Sequence, residues 1–137
     1  MGVFSVLYIS RPLIQSPEAD LAVAEIVRVA RERNGSLGVT GALLFTGERF
    51  AQVLEGTRAA VKDLMVSING DARHTDVVVI REEQVSAARF ARWTLAYSGP
   101  AAFVDRTLVR TLQEALVPGR LRGDRLMRLL TELSSGR

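Results

Sequence analysis

The sequence predicts an α+β fold in which two helices cover one face of a mainly antiparallel sheet. Three observations lead to this prediction: apolar runs of strand length, intervening stretches with apolar residues at helical spacing, and a leucine-rich end with a different pattern. The predicted order is β-α-β-β-α-β-β, the split β-α-β sandwich with one added strand, and two C-terminal helices complete the chain. With 137 residues, the chain can bury a full core as one globular domain.

The first strand and the first helix are predicted from the N-terminal residues. Val3 to Ile9 is rich in β-forming residues. Ser16-Pro17-Glu18 then supplies a side-chain cap, a first-turn proline and an acid at the positive helix end. Asn34-Gly35 is expected to end this helix with a left-handed cap. The helix presents a broad apolar face, made of Leu21, Ala24, Ile26, Val27, Val29 and Ala30.

A hairpin and a second helix come next. Val39 to Phe45 and Arg49 to Leu54 are extended runs joined by Thr46-Gly47-Glu48, whose residues are typical of a hairpin turn. Thr57 is expected to cap the second helix, which should end near Asn69-Gly70. Its apolar stripe consists of Ala60, Val61, Leu64, Met65 and Ile68.

The remaining chain predicts two more strands and a helical extension. Val77 to Ile80 has the composition of a buried strand, and alternation places Trp93, Leu95 and Tyr97 on one face of another. Residues 1–100 should therefore form the main domain, and residues 101–137 should pack on its open sheet face, because an apolar face left in water is unfavourable. The two extension helices are read from Val104, Leu108, Leu112 and Leu116, and from Leu126, Leu129, Leu130 and Leu133.

Composition excludes much enzyme chemistry. The chain has no cysteine and a single histidine, His74, so thiolate metal sites, cysteine nucleophiles and multi-histidine metal centres are impossible. No phosphate-binding loop or nucleophile elbow occurs, and we expect no enzyme activity. No apolar run approaches the length of a membrane span, so a cytoplasmic protein is expected. The net charge of +3 arises from arginines after residue 100, which are typical of a solvated helix face, and the 6% aromatic content argues against nucleic-acid binding.

Two polar residues fall in apolar rows of the predicted strands. Gln52 lies between Phe50 and Leu54 on one strand face, and Tyr8 shares a face with apolar neighbours on the first strand. A buried amide without partners costs about 1 to 3 kcal/mol, so Gln52 must find donors and acceptors inside the protein. Tyr8 and Gln52 either satisfy each other in a structural core network or belong to a functional site.

Six short segments, in order along the chain, carry a family resemblance that covers about Val3 to Tyr97. The sequence resembles the BLUF family of flavin-based blue-light sensors. The resemblance implies a ferredoxin-like fold, which agrees with the predicted element order, and a short member without a fused enzyme. The segments are Tyr8-Ile9-Ser10, Arg33-Asn34, Val39-Thr40-Gly41-Ala42-Leu43-Leu44-Phe45, Phe50-Ala51-Gln52-Val53-Leu54-Glu55-Gly56, Asp71-Ala72-Arg73-His74 and Arg89-Phe90-Ala91-Arg92-Trp93.

The resemblance implies a noncovalently bound flavin between the two helices, usually FAD, with FMN or riboflavin as alternatives. Ordinary helix packing, a helix cap or a solvated charge remains the alternative role of each implied contact residue. By the resemblance, Ile26 and Ile68 flank the ring, Asn34 bonds the C4 carbonyl and N3 edge, Arg73 lies near the C2 carbonyl, and Arg33, Asp71 and His74 flank the ring or its ribityl chain.

The resemblance also implies a light-driven switch. Tyr8 would give an electron and a proton to the excited flavin, and the Gln52 amide, by rotating or changing tautomer, would reverse its hydrogen bonds and shift the flavin absorption to the red. Trp93 and Leu95 would carry the change to the surface. Leu95 departs from the family pattern, which has methionine there, and a leucine lacks the flexible thioether.

Two further expectations concern partners and alternatives. A light sensor without an enzyme must act on a downstream protein partner, and leucine-rich terminal helices favour a homo-oligomer. The alternative is a ferredoxin-like regulatory or ligand-binding module in which Tyr8 and Gln52 are structural and no photochemistry occurs. A yellow preparation that shifts reversibly under blue light separates the two interpretations.

Overall fold

A computed structural model describes residues 2–14, 19–99, 106–119 and 122–134. The α+β class and the predicted order are confirmed: seven elements alternate as β-α-β-β-α-β-β, and two helices come after them. In the described part of the chain, no helix is long and apolar enough to cross a membrane. The elements are β1 (Val3–Pro12), α1 (Ala19–Ser36), β2 (Thr40–Phe45), β3 (Phe50–Gly56), α2 (Arg58–Asn69), β4 (His74–Val85), β5 (Trp93–Ser98), α3 (Arg106–Ala115) and α4 (Asp124–Leu133).

The five strands form one sheet in the order β4-β1-β3-β2-β5. All neighbouring pairs are antiparallel except β2 and β5, which run parallel. The register of β1 against β3 places Tyr8 directly opposite Gln52, and the register of β2 against β5 places Gly41 beside Trp93. Side chains of three strands therefore meet at the centre of one sheet face.

Each face of the sheet has its own apolar core. Helices α1 and α2 cover the face that carries Phe4, Val6 and Leu54, and helices α3 and α4 cover the opposite face. The alternation of apolar residues along β1 and β3 supplies both cores, because successive strand side chains point to opposite faces. The second core includes Leu7, Ile9, Leu44, Val53, Leu108, Leu112, Leu126 and Leu130. The expected division at residue 100 and the helical position of Val104 lie outside the described residues.

Helix α1 ends later than its sequence predicts. Asn34 and Gly35 continue the helix to Ser36, and the left-handed conformation falls on Gly38, with φ of 70°. The predicted cap at Asn34-Gly35 is therefore wrong: the backbone carbonyl of Asn34 accepts from the Val39 N–H instead. The predicted start at Ser16-Pro17-Glu18 lies outside the described residues. For α2, the cap is confirmed, because the Thr57 side chain accepts from the Ala60 N–H.

Two strand predictions are corrected. Strand β4 extends from His74 to Val85 at a sheet edge, and of the predicted buried run only Ile80 is buried, because a strand with one neighbour is covered less. Tyr97 does not share a face with Trp93 and Leu95: a register shift lies between Leu95 and Tyr97 in the pairing with β2, and the Tyr97 side chain packs against the core under α3 and α4. Alternation does not reveal such a bulge.

Gly41 is required where β2 lies close to β3. Its φ is 148°, and a Cβ atom there would lie 1.9 Å from the Val53 carbonyl oxygen. We expect Gly41→Ala to lower the free energy of unfolding by about 3 kcal/mol or more, measured by urea denaturation. Gly35→Ala is the control: it adds a methyl group to a helix in open space and should stabilise by about 0.5 to 1 kcal/mol. Equal stabilities of the two variants would contradict the role of Gly41.

Candidate functional site

A cavity of about 80 Å³ lies between helices α1 and α2 and the sheet. Nine of the eleven residues selected from the sequence line it; Asn34 and Leu95 do not. The remaining lining residues are mostly apolar. The fourteen lining residues are Tyr8, Ile26, Val29, Ala30, Arg33, Leu43, Phe50, Gln52, Ser67, Ile68, Asp71, Arg73, His74 and Trp93.

Three side chains on β1, β3 and β5 form a hydrogen-bonded chain on the sheet side of this cavity. The Gln52 Nε2 atom donates to the Tyr8 hydroxyl oxygen at 2.5 Å, and the Trp93 Nε1 atom donates to Gln52 Oε1 at 2.8 Å. All three residues are buried, with exposed fractions of 3% for Tyr8, 6% for Gln52 and 5% for Trp93. Both ends of the buried amide are thus engaged.

The chemistry of the indole fixes the orientation of this amide. An indole nitrogen can only donate, so the atom of Gln52 that faces Trp93 must be the oxygen. The Gln52 nitrogen then faces Tyr8, whose hydroxyl oxygen accepts. The Tyr8 proton is not used by Gln52 and remains free for another acceptor. This arrangement gives the site one defined donor and acceptor pattern.

The Tyr8 phenol is neutral in this environment. Burial raises its pKa well above the ordinary value, because a phenolate would lose its hydration. The hydrogen bond from Gln52 lowers the pKa by a smaller amount, the charge of Asp71 raises it, and the charge of Arg33 lowers it. Desolvation is the largest effect, so Tyr8 keeps its proton throughout the physiological pH range.

The charged residues at the cavity partly pair with each other. Arg73 binds Asp71 through two hydrogen bonds, Nε to Oδ1 at 3.0 Å and Nη2 to Oδ2 at 2.7 Å. These bonds hold the pKa of Asp71 below its usual range and raise the pKa of Arg73. The exposed Arg33 lines the cavity, and none of the described residues forms an ion pair with it.

His74 connects β4 to both β1 and α2. Its Nε2 atom lies 2.5 Å from the Ile68 carbonyl oxygen, and its Nδ1 atom lies 2.6 Å from the Ser10 hydroxyl. A carbonyl only accepts, so Nε2 carries a proton, and in the neutral ring Nδ1 accepts from Ser10. Both ring nitrogens are engaged in holding the end of α2 against the sheet.

The two selected residues outside the cavity lining lie close to it. Asn34 is buried, with 1% exposed, on the turn of α1 that comes after Ala30, and its Oδ1 atom has no hydrogen-bond partner among the described residues. A buried amide oxygen without a donor is unfavourable, so this atom is suited to accept from a bound molecule. Leu95 is half-buried and packs with Trp93 against the core under α1 and α2.

The structure also reveals a buried polar cluster that was not selected from the sequence. The Glu55 carboxylate accepts from Ser5, from the Arg89 backbone N–H and from the Arg89 guanidinium. The signal that identified Gln52 also applies here, because Glu55 comes after Val53 on an apolar strand face. Arg89 lies in an irregular segment and has no comparable pattern.

The comparison with protein families agrees with this geometry. The family model BLUF, described as sensors of blue-light using FAD, matches residues 3–96. The chain belongs to the BLUF family. BLUF domains bind a flavin and sense blue light, so the matched residues form a flavin-binding sensor module. The ferredoxin-like resemblance of the sequence is confirmed with it.

The curated relatives of this BLUF chain are much longer than the chain itself. It is 39% identical over 80 residues to photoactivated adenylate cyclase subunit beta of Euglena longa, covering 58% of this chain but 9% of that protein. It is 37% identical over 84 residues to the blue light- and temperature-regulated antirepressor BluF of Escherichia coli (strain K12), covering 61% of this chain and 21% of that protein. The chain thus spans a small part of these relatives.

Solved structures match over nearly the whole BLUF chain. The dark-state structure of BlrB, a BLUF protein, superposes with a TM-score of 0.77 at 31% identity and covers 96% of both chains. The photo-activated state of BlsA superposes with a TM-score of 0.79 at 21% identity, which indicates the same fold. The architecture shared with these structures therefore includes the two C-terminal helices as well as the sandwich.

The residues around the cavity fit a flavin. The unpartnered Asn34 oxygen can accept from a ring N–H, Arg33 and Arg73 supply positive charge at the cavity, and Ile26 and Ile68 provide apolar walls.

The neutral Tyr8 phenol gives a testable prediction. Of the two tyrosines, Tyr8 should ionise only at a pH well above about 10, the ordinary pKa of a tyrosine, because burial raises its pKa. Its contribution to stability is fully present below pH 10 and is lost as the pH rises through the raised pKa. Tyrosinate absorbance during alkaline titration should show a delayed phase that Tyr8→Phe removes and Tyr97→Phe retains. A delayed phase that persists in Tyr8→Phe would contradict the assignment.

Proposed function

We propose that this BLUF domain binds FAD without a covalent bond and signals blue light by rearranging the hydrogen bonds of Tyr8, Gln52 and Trp93. The observation that supports the proposal is the buried chain from the Trp93 indole through the Gln52 amide to the Tyr8 phenol, next to the cavity. When bound, the flavin absorbs blue light and in its excited state accepts an electron and a proton. The chain's own residues supply both and respond to their transfer.

Tyr8 is placed to be the donor of that electron and proton. Its hydroxyl accepts from Gln52, so the phenolic proton is not engaged by the amide. Its raised pKa keeps the proton on the phenol before illumination. Because Tyr8 itself lines the cavity, its phenol can face a molecule bound there directly.

Gln52 is the switching residue in this proposal. A rotated amide would turn its nitrogen toward Trp93, and two donors would then face each other. In a tautomer of Gln52 with an O–H group, the Gln52 oxygen would be a weaker acceptor for the Trp93 N–H. In either case the bond between Trp93 and Gln52 weakens, so the change at the amide must affect the position or bonding of Trp93 and, beside it, Leu95.

Seven residues are proposed to hold the flavin, as the resemblance implies. Asn34 offers the unpartnered oxygen, while Ile26 and Ile68 are the apolar walls. Arg73 is already oriented by Asp71, and His74 holds the end of α2 that closes the cavity. Arg33, exposed at the cavity, is proposed to flank the ring or its ribityl chain together with Asp71 and His74.

The output is proposed to be a contact with a downstream protein in the cytoplasm, made by a homo-oligomer. Relatives of the chain include an adenylate cyclase subunit and an antirepressor, so the BLUF module is combined with different outputs. Val109 and Val117, at 45% and 62% exposed, leave apolar surface on the C-terminal extension that an interface could bury.

Substitution of the two central residues tests the switch. The purified protein should be yellow, and blue light should shift its absorption to the red, with recovery in the dark. Tyr8→Phe and Gln52→Leu should retain the flavin and lose the shift, whereas the control Tyr97→Phe should keep it. A colourless protein that stays so after FAD is added would favour the module without photochemistry, and a full shift in Tyr8→Phe would refute the donor assignment.

Substitution of Asn34 tests the proposed flavin contact. Asn34→Ala removes the acceptor and should weaken flavin binding about tenfold, since a lost hydrogen bond in a buried site costs about 1 to 2 kcal/mol. Fluorescence titration of flavin into the protein measures the dissociation constant. Asn69→Ala, at the exposed end of α2, is the matched control and should bind as the natural chain does. Equal affinity in both variants would contradict the contact.

A further inference from the structure

The Glu55 carboxylate is fully buried on the sheet face opposite the cavity, and its hydrogen bonds come mainly from one residue. Arg89 donates through its backbone N–H to Oε1 at 2.6 Å and through Nε to Oε2 at 2.8 Å, and its Nη2 lies 2.7 Å from Oε2. Ser5 adds a hydrogen bond at 3.0 Å. A buried charge requires this degree of pairing, so Arg89 is held at both its backbone and its side chain.

Arg89 begins the four-residue segment that leads into β5. The Phe90 side chain is buried in the core under α3 and α4, and the Arg92 carbonyl accepts from the Gly41 N–H. Trp93 comes next and places its indole at Gln52. The approach to Trp93 is thus held at Arg89, Phe90 and Arg92, and of these three residues only Arg89 forms ion pairs within the described part of the chain, with Glu55 and Glu83.

We propose that Arg89, clamped by Glu55, is a positioning residue that keeps the Trp93 indole against the Gln52 amide. The inference rests on the proposed function, because it assigns to Arg89 the control of the amide's acceptor side. Strand β3 carries both Gln52 and Glu55, three residues apart and on opposite faces. One rigid strand therefore sets the distance between the clamp and the amide that Trp93 must reach.

The hydrogen bond to Trp93 is sensitive to small displacements. The distance from Nε1 to Oε1 is 2.8 Å, and a shift of the segment by roughly 1 Å would take it beyond hydrogen-bond range. Arg89 also contacts Glu83 on β4 at 3.2 Å, but Glu83 is partly exposed, whereas Glu55 is not. Glu55 is therefore the main partner that holds the segment, and Glu83 forms a weaker ion pair.

Trp93 is the only tryptophan in the chain, so its indole N–H gives one assignable signal in a ¹H–¹⁵N spectrum of the flavin-bound protein in the dark. Arg89→Met should move this signal upfield, toward the position of an indole without a hydrogen bond. Arg89→Lys, which restores the charge, should recover part of the shift. Glu55→Gln should move the signal in the same direction and serves where Arg89→Met does not fold.

Two controls separate positioning from general stability. Arg11→Met removes an exposed ion pair with Asp76, and Leu112→Ala lowers stability from the core under α3. Neither should move the indole signal, although Leu112→Ala should lower the melting temperature. If Arg89→Met and Glu55→Gln leave the signal where Leu112→Ala leaves it, the inference is overturned. The measurement needs no illumination, so a missing light response would refute the proposed function and leave this comparison valid.

Discussion

The buried amide of Gln52 is the constraint on which the rest of the site depends. Both ends of the amide need hydrogen-bond partners within an apolar core. The indole of Trp93, which can only donate, satisfies the amide oxygen, and the phenol oxygen of Tyr8 accepts from the amide nitrogen. That requirement explains why β1, β3 and β5 bring these residues together and why the register of β1 against β3 pairs Tyr8 with Gln52. A slip by one residue would turn Gln52 to the other core and break both hydrogen bonds.

The sequence predicts the parts of the fold that depend on periodicity. Alternation around Gln52 and Tyr8 identified the correct face of β1 and β3, and Thr57 marked the start of α2. The errors come from backbone hydrogen bonds that the side-chain pattern does not reveal. Asn34 does not end α1, because Val39 bonds back to its carbonyl, and Tyr97 changes face at a bulge that arises from pairing with β2. Neither interaction is visible in the local pattern.

The candidate site, like the fold, could be predicted from the sequence only in part. The resemblance supplied nine of the cavity-lining residues, but not their pairings. Arg73 is oriented by its near neighbour Asp71, whereas His74 is held by Ser10, a partner 64 residues away that only the tertiary structure defines. Glu55 could have been found from its apolar row, as Gln52 was, whereas Arg89 precedes β5 in a segment without periodicity.

Strand β3 lies against packed atoms on both of its faces, and Val53 and Leu54 are each fully buried. Protein interiors are dense and nearly incompressible, so this strand has no soft, hydrated side into which it can relax. When a side chain on one face of β3 changes its contacts, the helices packed on the other face must therefore adjust as well. A molecule that contacts only α3 or α4 therefore acts on the same strand, β3, that carries Gln52 beside the cavity on its other face.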